Sequence, residues 1–305
     1  MTASSSRANS SAIRPPLLDE DFLARIERLS LVSRRTVSGR VRGERRSRRR
    51  GFSNEFADYR DYVAGDDLRY LDWNIYGRLE RLFVKLFHEE EDLTLSILID
   101  ASDSMAHGEP EKLTYALRVA AALAAIAITS GDRVGLFPFH TELLPPLAPQ
   151  RGRHNLPRIL RYLQDVPAGG ETRLEPSLRT FSSAFRRRGM VVLISDLLDP
   201  VGFDAALRHI GGRGVEPFVI HVLSPDEIAP ALTGDLRLVD CENGSAVEIS
   251  VTRGLLSAYQ RTVDGFREAV RQSASRRGIV PLFTSTAVPF DQLVLSYLRT
   301  RGVLK

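Results

Sequence analysis

The stretch LTLSILIDASDSM, residues 93–105, decides how this chain is read. Apolar residues from Leu95 to Ile99, broken only by Ser96, run into Asp100-Ala101-Ser102-Asp103-Ser104. An apolar run this short, closed by turn formers, predicts a strand covered on both faces, as in a parallel sheet. Its polar tail then falls at the carboxyl end of the strand, the edge at which open α/β sheets take ligands. One aspartate and two hydroxyls at alternate positions, D-x-S-x-S, can converge on a hard cation, because such ions prefer oxygen donors.

Downstream, the pattern alternates. Helices are predicted at 110–130, 155–163, 174–187, 201–211, 255–277 and 290–301, and strands at 134–139, 190–195, 217–223 and 280–284. Residues 143–149 are broken by prolines and can form at most a short edge strand. Residues 236–239 and 246–251 read as a hairpin turned at Glu242-Asn243-Gly244. Apolar strands separated by helices predict a doubly wound, Rossmann-like, mostly parallel sheet over residues 93–305. Right-handed crossovers carry the strand ends to one edge. Asp100, Ser102 and Ser104 can therefore meet Thr172, from the glycine-rich loop 166–173, and Asp196, which follows the uninterrupted strand MVVLIS. Three hydroxyls and two carboxylates suit Mg2+ (or Mn2+), which binds through few carboxylates and keeps waters. Zinc would need Cys or His at ligand spacing, and this region offers none. No base, nucleophile or oxyanion donor is identifiable beside the set, so it reads as a binding design.

Composition sets the outer bounds. The chain has 305 residues, 43% hydrophobic and 26% charged, as in an ordinary globular protein. Its longest apolar run, VAAALAAIAI at 119–128, is half of the ~20 residues that a spanning helix needs, and no signal peptide is recognisable. Cys241 is the only cysteine, which excludes an internal disulfide. A cytoplasmic location is expected. Net charge is +4, yet residues 1–50 hold thirteen arginines against five acids, so residues 51–305 carry the balance of −4.

Three regions are therefore expected: a basic, partly disordered arm at 1–50 with one helix (18–31), a small β-rich module at 51–92, and the main domain at 93–305. Nine arginines stand between Arg34 and Arg50, inclusive. They could grip the phosphates of nucleic acid or anionic lipid, or remain solvated. In the module, Trp73 and the tyrosines are expected in the core. Asp66, Asp67 and Asp72, with Arg60, Arg69 and Arg78, could form a site or serve as turn caps and ion pairs. His140 and His154 flank a loop and could approach one another.

The residues Asp100 to Ser104 with Met105, Thr172, and Asp196 in LISDLLD resemble the metal-ion-dependent adhesion site of von Willebrand factor A domains. Upstream, EFADYRDYVAGDDLRYLDWN, which contains the motif from Gly65 to Trp73, precedes RLFVKLFHEEE. That run resembles the bacterial domain-of-unknown-function family fifty-eight, whose members place such a module before an A-type domain. The likeness spans roughly residues 51–223. It implies a Rossmann-like domain that binds a divalent cation through these five residues and works by protein–protein contact. It further implies a MoxR-type AAA+ ATPase and a client protein as partners, in protein assembly or maturation. Members often carry amino-terminal membrane segments, which this sequence lacks.

The leading expectation is thus a non-enzymatic interaction module whose cation captures an acidic group of a partner. One alternative is a metal-dependent hydrolase using the same site, although His88-Glu89 does not complete H-E-x-x-H and neither a P-loop nor G-x-S-x-G is present. Another gives the arginine arm the main role, with salt-sensitive binding to nucleic acid or anionic membrane.

Overall fold

The computed structural model describes residues 16–26, 56–64, 66, 68–87, 94–185 and 187–297. These fall into two compact units, 56–87 being one and the remainder the other. The arginine run, Gly65, Asp67 and the HEEED segment lie outside the described residues.

The first element, α1 (Glu20–Ile26), starts where Asp19 Oδ1 accepts the Phe22 N–H at 2.7 Å. Leu17, Leu18 and Phe22 are buried in the core of the main unit, and the Phe22 ring centroid lies 5.0 Å from that of Phe290. The helix expected as part of a basic arm is therefore a piece of the main domain. Phe22 of the helix, with Leu17 and Leu18 just before it, binds this segment there.

The small unit comprises β1 (Phe56–Asp61), α2 (Trp73–Leu79) and β2 (Phe83–Phe87), with the two strands paired antiparallel. Asp72 caps α2 by accepting from the Asn74 and Ile75 N–H groups at 3.0 and 3.2 Å. Asp66 accepts a two-pronged bond from Arg60 at 2.8 and 2.9 Å. These two acids thus serve as cap and ion-pair partner. Leu71 and Val84 form the buried centre, whereas Trp73 is 62% exposed and stacks edge-on against Tyr76. The expected core tryptophan is a surface residue, because it opens an outward-facing helix turn directly after the cap.

The main unit is built on six strands in the order β10-β7-β6-β3-β4-β5. They are β3 (Thr94–Asp100), β4 (Arg133–Phe139), β5 (Leu147–Arg151), β6 (Gly189–Ser195), β7 (Val215–Leu223) and β10 (Val280–Ser285). All neighbours are parallel except β5, which runs antiparallel against β4. This is the doubly wound sheet that the strand pattern predicts. Both outer strands carry a proline, Pro149 in β5 and Pro281 in β10.

Side-chain alternation divides the core in two. Leu95, Ile97 and Ile99 of β3, with Met190, Val192 and Ile194 of β6, join one cluster with α3 (Lys112–Thr129) and α4 (Leu156–Gln164). Leu98, Val191 and Leu193 join the other, with α5 (Leu174–Ala184), α6 (Asp204–Leu207) and the far end of α8 (Arg253–Ser275). Fifteen of the eighteen residues of α3 are buried, so its apolar character is accounted for by the protein interior although its composition would also suit a bilayer. The sequence also places the hairpin β8 (Gly234–Val239) and β9 (Ala246–Val251) correctly. It forms a separate two-stranded sheet. A single helical turn, α7 (Pro225–Ile228), follows β7, and α9 (Phe290–Gln292) runs into a π-turn at Leu293–Tyr297; the remainder of the helix expected over 290–301 lies outside the described residues.

If α1 belongs to the main core, Phe22→Ala lowers the unfolding free energy by about 3 kcal/mol in urea titration. A change below about 0.5 kcal/mol would return α1 to the arm.

Candidate functional site

Register fixes the site. Ile99 pairs with Ile194, and Ser195 with His221, so β3, β6 and β7 end at nearly one level. Asp100 is completely buried there. Its Oδ1 accepts from the Ser102 N–H at 3.1 Å and the Ser102 hydroxyl at 2.6 Å, and its Oδ2 accepts from the Ser195 hydroxyl at 2.6 Å. Oxygens continue outward from this carboxylate in a row. Ser102 Oγ lies 3.0 Å from Ser104 Oγ, which lies 3.4 Å from Thr172 Oγ1. All three hydroxyl residues are buried.

The loop bearing Thr172 is tied directly to the D-x-S-x-S segment. Asp103 N–H donates to the Gly170 carbonyl at 2.9 Å, Gly170 N–H to Asp103 Oδ2 at 3.2 Å, and Gly169 N–H to the Ala101 carbonyl at 2.9 Å. Gly170 has φ +79°, and a Cβ there would sit 2.9 Å from Thr141 Oγ1 and 3.0 Å from His140 Nδ1. Only glycine fits. His140 Nδ1 accepts from the Thr141 N–H at 2.6 Å, while His154 Nε2 is bonded to Asn155 Nδ2 at 2.9 Å, so each histidine is engaged by its own neighbour.

Asp196 reaches the same place differently. It is fully buried, and Leu197 behind it adopts φ 58°, a left-handed turn rare for a non-glycine residue. That turn aims the Leu197 N–H at Ser195 Oγ (2.8 Å) and the Leu198 N–H at Asp196 Oδ1 (3.1 Å). Oδ2 accepts from Lys112 Nζ at 2.7 Å. Lys112 has no exposed surface and also donates to Glu227. Burial alone would lower the lysine pKa, but the two carboxylates outweigh it and hold the ammonium charged above its usual range. The structure therefore joins Asp100, Ser102, Ser104 and Thr172 in one row, and sets Asp196 beside them with its carboxylate already bonded to an internal cation.

Several of these partners escaped the sequence reading. Glu227 carried a readable signal, the S-x-x-E capping box: Ser224 N–H donates to Glu227 Oε2 at 2.7 Å and Glu227 N–H to Ser224 Oγ at 3.2 Å. Lys112, one charge at the start of a buried helix, and Ser195, the last strand residue, carried none. In the sequence Glu242 is legible only as part of the hairpin turn. It accepts from the Thr172 hydroxyl at 2.6 Å and the Thr172 N–H at 3.2 Å.

The electrostatics are unbalanced. Burial, and then the nearby Asp196 charge, push the Asp100 carboxyl up to about 7, against the three hydrogen bonds that favour its ionised form. His221, buried behind the site with its Nε2 2.9 Å from the Asp196 carbonyl, is pushed down to about 4 by burial and is neutral at pH 7. Among the described residues, no three His, Cys, Asp or Glu side chains gather as a metal cluster. What gathers is a row of hydroxyls leading to one carboxylate that lacks a counter-charge. That donor set fits a hard cation with oxygen ligation and does not fit zinc.

Residues 58–283 match the family model described as "Protein of unknown function DUF58". The chain belongs to the DUF58 family. This DUF58 chain is 28% identical over 268 residues to the uncharacterized protein Rv1480 of Mycobacterium tuberculosis, covering 86% of this chain and 84% of that one. It is 29% identical over 136 residues to the uncharacterized protein MAV169 of Mycobacterium avium, covering 44% and 79%. Among solved structures it is similar to BatB from Bacteroides thetaiotaomicron (15% identity, 69% of this chain and 98% of that one, TM-score 0.44). An aerotolerance-related membrane protein from Bacteroides fragilis is similar to the same extent (16%, 68% and 99%, TM-score 0.44). The main unit of the DUF58 chain has the six-stranded, mostly parallel sheet that the resemblance to von Willebrand factor A domains implies.

Two outcomes check this electrostatic picture. Lys112→Met strands two carboxylates and costs about 3 kcal/mol in urea unfolding, and adding Glu227→Gln costs less than the sum of the two single changes. The second concerns pH. Asp100, raised in the folded state, contributes stability that is full below about pH 4 and lost as pH rises through about 7. His221, lowered in the folded state, contributes stability present above about 6.5 and lost as pH falls through about 4. The two slopes oppose each other across the shared window. Asp100→Asn removes one of them, so its stability climbs with pH between 5 and 6.5 more steeply than that of the wild type. Parallel profiles would show that Asp100 does not titrate there.

Proposed function

We propose that the main unit of this DUF58 chain is a non-enzymatic interaction module whose strand-end site holds Mg2+ (or Mn2+) and captures an acidic group of a partner protein. The reading rests on one observation: a fully buried carboxylate opens onto a row of three buried hydroxyls. When bound, the cation would supply positive field and an open coordination position for a carboxylate oxygen. Asp100, Ser102, Ser104 and Thr172 are the residues that would hold it. Asp196, already bonded to Lys112 and the Leu198 N–H, would contribute its charge from the side. The hydroxyls offer oxygen lone pairs without adding negative charge, which leaves the cation able to attract a further acid.

Partner identity follows from the family resemblance: a MoxR-type AAA+ ATPase or its client, in protein assembly or maturation. A cytoplasmic location is part of this proposal; among the described residues the one helix long and apolar enough to cross a membrane, α3, is mostly buried in the core.

Affinity capture with the full chain tests this. Partners are recovered in 5 mM-scale magnesium (roughly, to saturate a weak oxygen site) and lost at least tenfold with chelator or with Asp100→Ala. Equal recovery in all three would remove the cation from the contact.

A further inference from the structure

The site already has an acid at its mouth, and it comes from the same chain. Glu242 stands at the tip of the β8–β9 hairpin, seventy residues from the threonine it contacts. One of its oxygens accepts from the Thr172 hydroxyl at 2.6 Å and the other from the Thr172 N–H at 3.2 Å, so the carboxylate is gripped at both ends. Thr172 is the outermost oxygen of the row, and it is fully buried. Glu242 therefore prolongs the sequence Asp100, Ser102, Ser104, Thr172 by one more oxygen-bearing side chain.

The turn is built to present this group. Asp240 Oδ1 accepts from the Glu242 N–H at 2.8 Å and the Asn243 N–H at 3.3 Å, and Asp240 Oδ2 accepts from Asn243 Nδ2 at 2.8 Å. The Ser245 N–H closes the loop on Asn243 Oδ1 at 2.8 Å. An Asx-type turn of this kind fixes the backbone without help from the body.

The rest of the hairpin is weakly held. Leu238, Val239 and Val247 are 44%, 61% and 60% exposed, and a cleft of about 510 Å³ lined by Leu232, Leu238, Ile249, Leu255 and Tyr259 lies beside it. A lone two-stranded hairpin has little stability of its own. Leu236, Ile249 and Val251 are half-buried, and the Glu242 tip adds the two hydrogen bonds to Thr172.

We propose that Glu242 is the resident carboxylate ligand of the strand-end site, occupying the position that a partner's aspartate or glutamate must take, with the β8–β9 hairpin as its removable carrier. This rests on the cation-binding reading above. A partner's acid would replace the two Thr172 contacts one for one, and its apparent affinity is reduced by the fraction of molecules in which Glu242 is seated. The partner chemistry is thereby narrowed to a side chain with two free carboxylate oxygens on a protrusion able to follow the path of the hairpin tip.

The test uses the full chain, its Glu242→Gln variant and the metal alone. Mn2+ affinity is read from the free-ion electron paramagnetic signal, and hydrogen exchange is followed across residues 234–251 with and without Mg2+. In the wild type, Mg2+ slows exchange at the turn at least tenfold. In Glu242→Gln, which alters a surface turn and leaves the core intact, that metal-dependent protection disappears and Mn2+ binds several-fold more weakly. If both proteins bind Mn2+ equally and turn exchange ignores the metal, Glu242 is only a turn contact and the assignment is overturned. If the wild type binds no Mn2+ at all, the cation reading itself fails and takes this one with it, an outcome distinct from the previous one.

Discussion

A carboxylate without water is the constraint around which the strand ends are arranged. Asp100 has no solvent contact, and among the described residues its two oxygens are bonded by Ser102 and Ser195. A second buried carboxylate, Asp196, lies close enough to raise its pKa. Two such groups cannot both sit ionised in a low-dielectric interior without compensation. Lys112 supplies it for Asp196, by entering the core at the first turn of α3. Asp100 has no such partner among the described side chains, and this asymmetry separates a closed ion pair from a site with an unmet demand for positive charge.

That division of labour explains why Asp196 and Asp100 are not interchangeable although both end parallel strands. The left-handed Leu197 turns the chain so that one Asp196 oxygen faces a backbone N–H and the other faces the lysine. The loop at Ser102 sets the hydroxyl of that residue on Asp100 and the Ser104 hydroxyl next to it. Among the described residues, Asp196 and Glu227 share the ammonium of Lys112, while the carboxylates of Asp100 and Glu242 are bonded to hydroxyls and backbone N–H groups. The site is electronegative by construction, which disfavours a bare acidic visitor and favours a cation.

Much of this could be read from the chain. The alternation of strands and helices after residue 93 gave the sheet, because an apolar run covered on both faces has few other uses. Topology predicts that the five polar positions meet at one sheet edge, and hydrogen bonds join Asp100, Ser102, Ser104 and Thr172 there, with Asp196 bonded to Lys112. What could not be read were contacts that depend on tertiary distance. Lys112 looks like any charged residue at a helix start until the fold sets it 84 residues from its partner in sequence and 2.7 Å in space. Glu242 looked like turn chemistry, and it is that as well; the second role appears only when the hairpin is laid beside Thr172. Trp73 was misplaced for a different reason. Aromatic content predicts burial on average, whereas an N-cap fixes the direction in which the next residue points.

Pro149 and Pro281 give the sheet a character that its site alone does not reveal. Each stands in an outer strand, and a proline ring there leaves a gap in the row of outward donors that an incoming chain would need for backbone pairing. Both rims are thereby poor templates for strand addition, whether by a binding peptide or by a neighbouring misfolded copy. The lateral growth available to an unguarded sheet is discouraged on both sides.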